Sequence, residues 1–328
     1  MIFLNNNCHD PYLNHALEEY FLKYTNEDCF ILWRNKPSIL IGKNQNTLKE
    51  INLDYVKEHN IEIVRRVSGG GTVFNDLGNL NYTFITKKEG NFANFKVLAK
   101  PVLNSLKKLG VDAEFSGRND LIVDGKKFCG NAQYAYKNRV LHHGTLLFDS
   151  DLENLHKALN VNKLKFKDKS VKSCKSRVCN IRDFIFDRNM NVEEFKNFLI
   201  EDVMAQYNVK KFYELGEEDL KKVKEIADNK YRTWQWNYGS SPNFNFFNED
   251  KFSCGLIQIS IDIKEGIIRD IKINGDFFGK KDIAELEEVM KGARYEEKVL
   301  RECVDRININ EFINNINKEE FIKLMFNY

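Results

Sequence analysis

The segment Arg65-Arg66-Val67-Ser68-Gly69-Gly70-Gly71-Thr72-Val73-Phe74 constrains this chain more than any other. Three consecutive glycines give the main chain access to positive φ and let a ligand approach without a Cβ in the way, which suits an anion held against the backbone. Ile61-Glu62-Ile63-Val64 reads as a buried strand and Val73-Phe74 resumes apolar character, so the glycines form a loop between two strands. A Walker loop needs Gly-Lys-Ser/Thr entering a helix, and a dinucleotide fingerprint needs spaced glycines entering a helix; neither pattern is here. Taken alone, the run reads equally as a flexible turn flanked by solvated arginines.

Three further polar blocks decide against the turn. The first is Gly117-Arg118-Asn119-Asp120, followed by Leu121-Ile122-Val123-Asp124-Gly125-Lys126-Lys127-Phe128-Cys129-Gly130-Asn131-Ala132. Asp124-Gly125 between apolar runs predicts a type I′ hairpin, whose two central residues both take positive φ. Side chains alternate along the departing strand, so Lys126 and Lys127 face opposite sides and only one can serve a site. Gly130 and Ala132 leave room there for a ligand, although a strand glycine can equally mark a bulge. The second block is His142-His143-Gly144-Thr145-Leu146-Leu147-Phe148, a strand with a polar start. Adjacent histidines on a strand point apart and do not bind one metal together, which favours hydrogen bonding over a metal site. The third, Lys175-Ser176-Arg177-Val178-Cys179-Asn180-Ile181, follows a lysine-rich run and alone reads as solvated charge.

The chain has 328 residues, 42% of them hydrophobic and 12% aromatic, enough for a sizeable core and two domains. Fifty basic against 48 acidic residues give a net charge of +2, no footprint for a dedicated nucleic-acid binder. No apolar run reaches spanning length and Met1-Ile2-Phe3-Leu4-Asn5-Asn6-Asn7 lacks signal-peptide character, so no membrane partner is expected and the cytoplasm is the expected location. Seven scattered cysteines without CxxC spacing read as reduced thiols.

Leu13, Ala16, Leu17, Tyr20 and Phe21 fall at helical spacing and predict a first helix with one buried stripe. Strands are expected near 29–33, 38–43, 61–67 and 80–86, and a helix near 94–109. Hairpin connections predict a largely antiparallel sheet in a mixed α/β (α+β) catalytic domain spanning 1–244. The Gly/Ser/Pro/Asn-rich stretch 239–245 around Pro242 marks the boundary to a small α+β domain, 248–328. There, alternating Ile257, Ile259, Ile261 and Ile263 predict a half-buried strand. Glu265-Gly266 and Asn274-Gly275 are turn signals on either side of the next strand, and helices are expected near 281–291, 295–306 and 311–325.

In order and spacing these blocks resemble the lipoate-protein ligase A family. Its run of two arginines, a small residue, Ser-Gly-Gly-Gly, Val-Phe and Asp-Leu-Gly-Asn matches residues 65–79. Its Gly-Arg-Asn-Asp, Lys-x-x-Gly-x-Ala, His-His-Gly-Thr-Leu-Leu and Ser-Arg-Val-x-Asn blocks match 117–120, 127–132, 142–147 and 176–180. Asn14-His15-Ala16-Leu17-Glu18-Glu19-Tyr20, Ile41-Gly42-Lys43-Asn44-Gln45-Asn46, Trp236-Asn237-Tyr238-Gly239-Ser240-Ser241-Pro242 and a Gly-x-Arg-Tyr at 292–295 extend the likeness over essentially the whole chain.

The resemblance implies the fold shared with biotin protein ligases and class II aminoacyl-tRNA synthetases, and a two-step ligation. Lipoate attacks the α-phosphate of MgATP to give lipoyl-adenylate and pyrophosphate; the adenylate then acylates a lysine of a lipoyl carrier domain. The implied partners are the acyltransferase subunits of 2-oxoacid dehydrogenases or the glycine cleavage H protein, with the ligase a monomer. ATP and adenylate are assigned to Arg66, Gly71, Thr72, Val73, Phe74, Asn119, Asp120 and Lys127, and Mg²⁺ to Asp120. Lipoate is assigned to Arg66, Ser68, Gly69, Gly70, Lys127, His143 and Gly144. Lys127, the family's bridging lysine, is the catalytic choice over Lys126. Val73, Phe74, Leu146 and Leu147 are candidates for the acyl pocket or for core.

Asn75 stands where many members have His and cannot titrate near neutral pH, so a ligand- or loop-orienting role is expected of it. Cys129 replaces a common Ser and reads as a small strand residue. Two alternatives remain: a cysteine-dependent octanoyl or lipoyl transferase of the same superfamily, and a catalytically silent acyl- or nucleotide-binding paralogue. The transferases carry their nucleophile where this chain has Ser116-Gly117-Arg118-Asn119, without a cysteine.

Overall fold

The computed structural model describes residues 1–159, 178–209, 212–238 and 246–326. The basic stretch from Lys175 to Arg177 and the boundary stretch 239–245 lie outside them. Seven strands form the main sheet: β1 (Ile2–Asn5), β2 (Cys29–Trp33), β6 (Asn79–Lys87), β7 (Glu114–Ser116), β8 (Asp120–Val123), β9 (Lys126–Tyr136) and β10 (Arg139–Leu147), in the order β1-β2-β6-β10-β9-β8-β7. Only β1 and β2 run parallel, so the antiparallel expectation holds for this sheet.

Both faces of the main sheet are covered, so β2 and β10 are buried at every residue and β6 at all but its last. In β2, Phe30 and Leu32 join the core under α4 (Phe95–Lys108) and α6 (Val192–Gln206), while Cys29, Ile31 and Trp33 join the core under α1 (Pro11–Tyr24). Asp10 caps α1 by accepting from the Tyr12 and Leu13 amides, and Pro11 occupies its first turn. The stripe that α1 buries is more polar than its periodicity suggests. Asn14, His15, Glu18 and Glu19 are buried, whereas Leu13 and Tyr20 are only half-buried. These polar residues lie over the strands where β6 and β10 carry Thr83 and His143.

The strands at 38–41 and 62–65 depart from the expected arrangement. Here β3 (Ser38–Ile41), β4 (Glu62–Arg65) and β5 (Val73–Asn75) form a separate sheet in the order β4-β3-β5, with β3 and β4 parallel. The connection between β3 and β4 contains α2 (Thr47–Glu50) and α3 (Leu53–Glu58), long enough for the crossover that parallel pairing requires. Further along, α5 (Leu152–Ala158), α7 (Glu217–Ile226) and α8 (Trp234–Asn237) complete this part.

The C-terminal strands β11 (Phe246–Phe252), β12 (Gly255–Lys264) and β13 (Ile267–Gly275) form an antiparallel sheet. Ile257, Ile259 and Ile261 enter a core of their own with α9 (Ile283–Met290), α10 (Glu297–Asp305) and α11 (Lys318–Phe326). Glu265 and Gly266 take φ of 54° and 71°, a tight hairpin. Asn274-Gly275 forms no such turn: both pair with β12 and end the strand. The third helix begins at Lys318 rather than near 311. Asn315 takes φ 63° and Asn317 accepts from the Glu319 amide, so asparagine chemistry stops a short 3₁₀ turn at Ile309–Glu311 and starts the helix later. Among the described residues no helix is long and apolar enough to cross a membrane.

Candidate active site

Both arginines that precede the glycine run are buried, which corrects the solvated reading. Arg65 donates to the carbonyls of Gly42, Lys43 and Gln45 at 3.0, 2.9 and 2.6 Å and to the Thr47 hydroxyl at 2.7 Å, tying β4 to the segment after β3. Arg66 turns the other way. Its Nη2 donates to the carbonyls of Gly69 and Gly71 at 2.8 and 2.6 Å, its Nη1 to Leu40 at 3.0 Å and its Nε to Ser68 Oγ at 3.1 Å. Burial lowers both guanidiniums to about 10, so they stay charged at neutral pH. The loop is thereby folded around a fixed cation. Gly70 adopts φ +89°, and a Cβ on Gly42 would lie 2.0 Å from the Gly70 carbonyl oxygen, so this close backbone approach admits no side chain.

The β8–β9 turn takes φ of 49° at Asp124 and 69° at Gly125, the expected hairpin. Lys126 is exposed, while Lys127 turns towards the glycine loop with Nζ 2.7 Å from Asp120 Oδ1. A Cβ on Gly130 would come within 3.1 Å of that ammonium, so the glycine keeps its space open. A register shift between Leu121 and Ile122 follows Lys127, and both Phe128 and Cys129 reach the core there. Further along β9, Asn131 Nδ2 donates to the Asn119 carbonyl at 3.0 Å, and Asn131 Oδ1 accepts from the Tyr82 hydroxyl. A Cβ on Gly144, opposite Asn131 in the sheet, would sit 2.5 Å from Asn131 Oδ1 and 2.6 Å from the Tyr82 ring.

The two histidines face apart as strand alternation requires. His143 Nε2 lies 2.6 Å from Ser68 Oγ, and its Nδ1 lies 2.8 Å from Glu18 Oε1. That carboxylate also accepts from Thr83 Oγ1 at 2.6 Å and meets His15 Nδ1 at 2.9 Å. Burial alone would push the Glu18 carboxyl up, but His143 and His15 outweigh it and hold it well below the usual carboxylate range. On the opposite face, His142 Nδ1 accepts from Gln133 Nε2 at 3.1 Å, and burial lowers the ring to about 3 from an ordinary 6.5.

The sign of the resulting pH effect follows directly. As pH falls below 6.5 the unfolded chain protonates His142 while the folded protein resists until about 3, so stability is lost across that window. The loss approaches about 1.4 kcal/mol per pH unit for one such proton. Urea midpoints between pH 6.5 and 4 are expected to fall less steeply for His142→Phe than for the unaltered protein. Equal slopes would remove His142 from the account.

One cavity gathers Arg66, Gly70, Gly71, Thr72, Val73, Asn119, Lys127, His143 and Gly144 from among the expected site residues. A second, more apolar cavity continues past Thr72, Val73 and Lys127 to Phe74, Cys129, Leu147, Leu155, Leu159 and Val178. Four expected residues line neither cavity. Ser68 is fully buried between Arg66 and His143; Gly69 packs against the Phe277 carbonyl oxygen; Asp120 pairs with Lys127; and Leu146 faces the sheet core, opposite to Leu147. Asn75 is buried, accepting from Asn81 Nδ2 at 2.7 Å, and lines neither cavity. His15, Trp33, Leu40, Asn81, Asn131 and Thr145 line the first cavity without having been assigned. The signal for His15 was its place at i−3 and i−4 from Glu18 and Glu19, a polar face on a helix whose apolar spacing falls elsewhere.

The C-terminal unit touches this site. The Gly70 amide donates to the Phe277 carbonyl at 3.4 Å, the Gly275 amide to the Asn44 carbonyl at 2.7 Å, and Arg118 stacks 4.7 Å from the Phe278 ring.

Residues 10–204 match the family described as the lipoyl protein ligase A/B catalytic domain, and residues 241–325 match the bacterial lipoate protein ligase C-terminus. The chain is 44% identical to the lipoate-protein ligase LplJ of Bacillus subtilis, covering 99% of this chain and 100% of that one. It is also 44% identical to lipoate-protein ligase 1 of Staphylococcus aureus, with 98% of each covered. Among solved structures it is similar to P. falciparum LipL1 in complex with lipoate, with TM-score 0.79, 26% identity, and 98% and 97% of the two chains covered. It is likewise similar to a lipoate-protein ligase A bound with ATP, with TM-score 0.63, 26% identity, and 73% and 98% covered. With both domain families matched in order and relatives alike over their full length, the chain belongs to the lipoate-protein ligase A family.

Proposed function

We propose that the chain is an ATP-dependent lipoate-protein ligase that salvages free lipoate by adenylating it and passing the lipoyl group to a lysine of a carrier domain. The observation that carries this reading is the place of Lys127, at the junction of two cavities that share Thr72, Val73, Gly130 and Thr145. Lipoate takes the cavity walled by Gly70, His143 and Gly144, and the adenosine takes the one walled by Phe74 and Leu147. The carboxylate and the α-phosphate then meet at one ammonium group. In the first step a carboxylate oxygen attacks the α-phosphorus and pyrophosphate leaves; Lys127 and Arg66 oppose the charge that builds on phosphoryl oxygens. In the second step the acceptor amine attacks the acyl carbonyl, AMP departs as an anion, and Lys127 again holds the oxygen that gains charge.

Mg²⁺ held mainly by triphosphate needs only one or two protein carboxylates, and Asp120 beside Lys127 fits that modest demand. It would neutralise phosphate charge there. Among the described residues no cluster of three or more His, Cys, Asp or Glu offers an all-protein metal site. The partners proposed are carrier domains of 2-oxoacid dehydrogenase acyltransferases or the glycine cleavage H protein, met in the cytoplasm by a ligase monomer. A similar archaeal ligase is described together with its E2 lipoyl domain. We take 1–244 as the catalytic domain and 248–328 as a cap whose Phe277 and Phe278 must swing off the glycine loop for transfer. Small-angle scattering with and without lipoyl-adenylate is expected to give different profiles; identical profiles would leave the cap static.

A transferase would need a reactive thiol. Cys129 is buried, and burial pushes its thiol far up, away from the thiolate that attacks thioesters. Pyrophosphate release is expected to require lipoate, ATP and Mg²⁺ together and to survive Cys129→Ala. Acyl transfer from a thioester without ATP, abolished by that substitution, would replace the ligase reading with the transferase one. No pyrophosphate under any condition would make the chain a silent binder.

A further inference from the structure

His15 lies in the wall of the first cavity, 1% exposed, and its Nε2 is a buried nitrogen without a hydrogen-bond partner. Such an orphan costs stability unless a ligand or water completes it, so its presence in a binding cavity points to a ligand group. The chemistry of that group follows from the other ring nitrogen. Nδ1 sits 2.9 Å from Glu18 Oε2, and the second oxygen of that carboxylate already takes Thr83 Oγ1 and His143 Nδ1. A carboxylate accepts only, so the His15 proton resides on Nδ1 and Nε2 presents a lone pair. Burial, helped by His143 and Arg66, outweighs the pull of Glu18 and lowers the ring's affinity for a second proton. The cavity wall therefore carries a hydrogen-bond acceptor beside Trp33, whose ring centroid lies 5.3 Å from that of His15.

Resting on the ligase reading, the acyl carboxylate must lie at Lys127, where the two cavities join. The rest of the acid then runs into the part of the first cavity that the second does not share, towards His15, Trp33 and His143. A plain alkyl end offers nothing to a lone pair, and neither does a cyclic disulfide. A thiol does, because S–H is a donor. We propose that His15 is a specificity-determining residue that accepts a hydrogen bond from a thiol at the distal end of the acyl chain, so that the site favours the reduced, dithiol form of its substrate. Octanoate and oxidised lipoate bind in the same place and leave Nε2 unpaired.

The test compares four acids in the pyrophosphate-release reaction with ATP and Mg²⁺: dihydrolipoate kept reduced by a phosphine, oxidised lipoate, octanoate, and S,S-dimethyl dihydrolipoate. The last keeps both sulfurs, adds a methyl group to each and has no donor. In the unaltered protein dihydrolipoate is expected to exceed the other three in kcat/KM by roughly threefold to tenfold, the span of one ordinary neutral hydrogen bond. His15→Phe is expected to bring the four acids level. Because that variant also removes a partner of Glu18, the dimethyl compound on the unaltered protein decides the matter if His15→Phe fails to fold. Equal rates for dihydrolipoate and its dimethyl derivative, or a preference that survives His15→Phe, would overturn the role of His15 while leaving the ligase reading intact. Absence of pyrophosphate with every acid would overturn the ligase reading and this inference with it.

Discussion

Lys127→Ala is expected to slow acyl-adenylate formation roughly a hundredfold, the usual cost of losing a charge-assisted contact to a developing oxyanion. Lys126→Ala, one residue away, is expected to leave the rate within about twofold, as for an exposed surface side chain. The contrast rests on strand geometry. Lys127 lines both cavities with its ammonium beside Asp120 and over Gly130, whereas Lys126 is exposed and lines neither. The loss should fall on kcat more than on the KM for lipoate, because the interaction strengthens as charge moves to the phosphoryl oxygens. Single-turnover measurement of adenylate separates this step from transfer. Equal damage from the two substitutions would refute the assignment of faces.

The second large effect concerns Arg66. Arg66→Ala removes four donors at once and leaves the carbonyls of Leu40, Gly69 and Gly71 without the partner that folds the loop. Water entering from the cavity can satisfy some of them, so the expected destabilisation is about 2–4 kcal/mol rather than the sum of the separate bonds. The disordered loop should also weaken ATP binding. Arg66→Lys is expected to recover little of either, because an ammonium cannot span the four positions that the planar guanidinium reaches. Chemical denaturation and ATP titration read the two effects separately. A stable Arg66→Ala protein with undiminished ATP affinity would mean that the loop holds its shape without the cation.

What the sequence made legible follows the range over which each signal acts. The glycine loop between strands, the Asp124-Gly125 hairpin, the divergent histidines and the Glu265-Gly266 turn are local, and each was readable from residues a few positions apart. Pairing between distant strands was not. Nothing near residues 38–41 and 62–65 announces that they pair parallel in a separate sheet, because that depends on what the crossover between them packs against. The polar face of α1 was visible as letters but not as chemistry. Glu18 acquires its meaning only when His143, 125 positions away, closes on it. Ser68 was assigned to lipoate, yet it lies fully buried behind His143. Leu146 and Leu147 were grouped, though a strand must send them to opposite faces.

The most direct test of the account is the mass of an apo lipoyl carrier domain after incubation with this protein. With lipoate, ATP and Mg²⁺ all present, the carrier is expected to gain one lipoyl group on its acceptor lysine. Omission of ATP should abolish the gain, and Lys127→Ala should slow it to the same degree as adenylate formation. A carrier that stays unmodified with all three present, or that gains its acyl group from a thioester donor when ATP is withheld, would contradict the account.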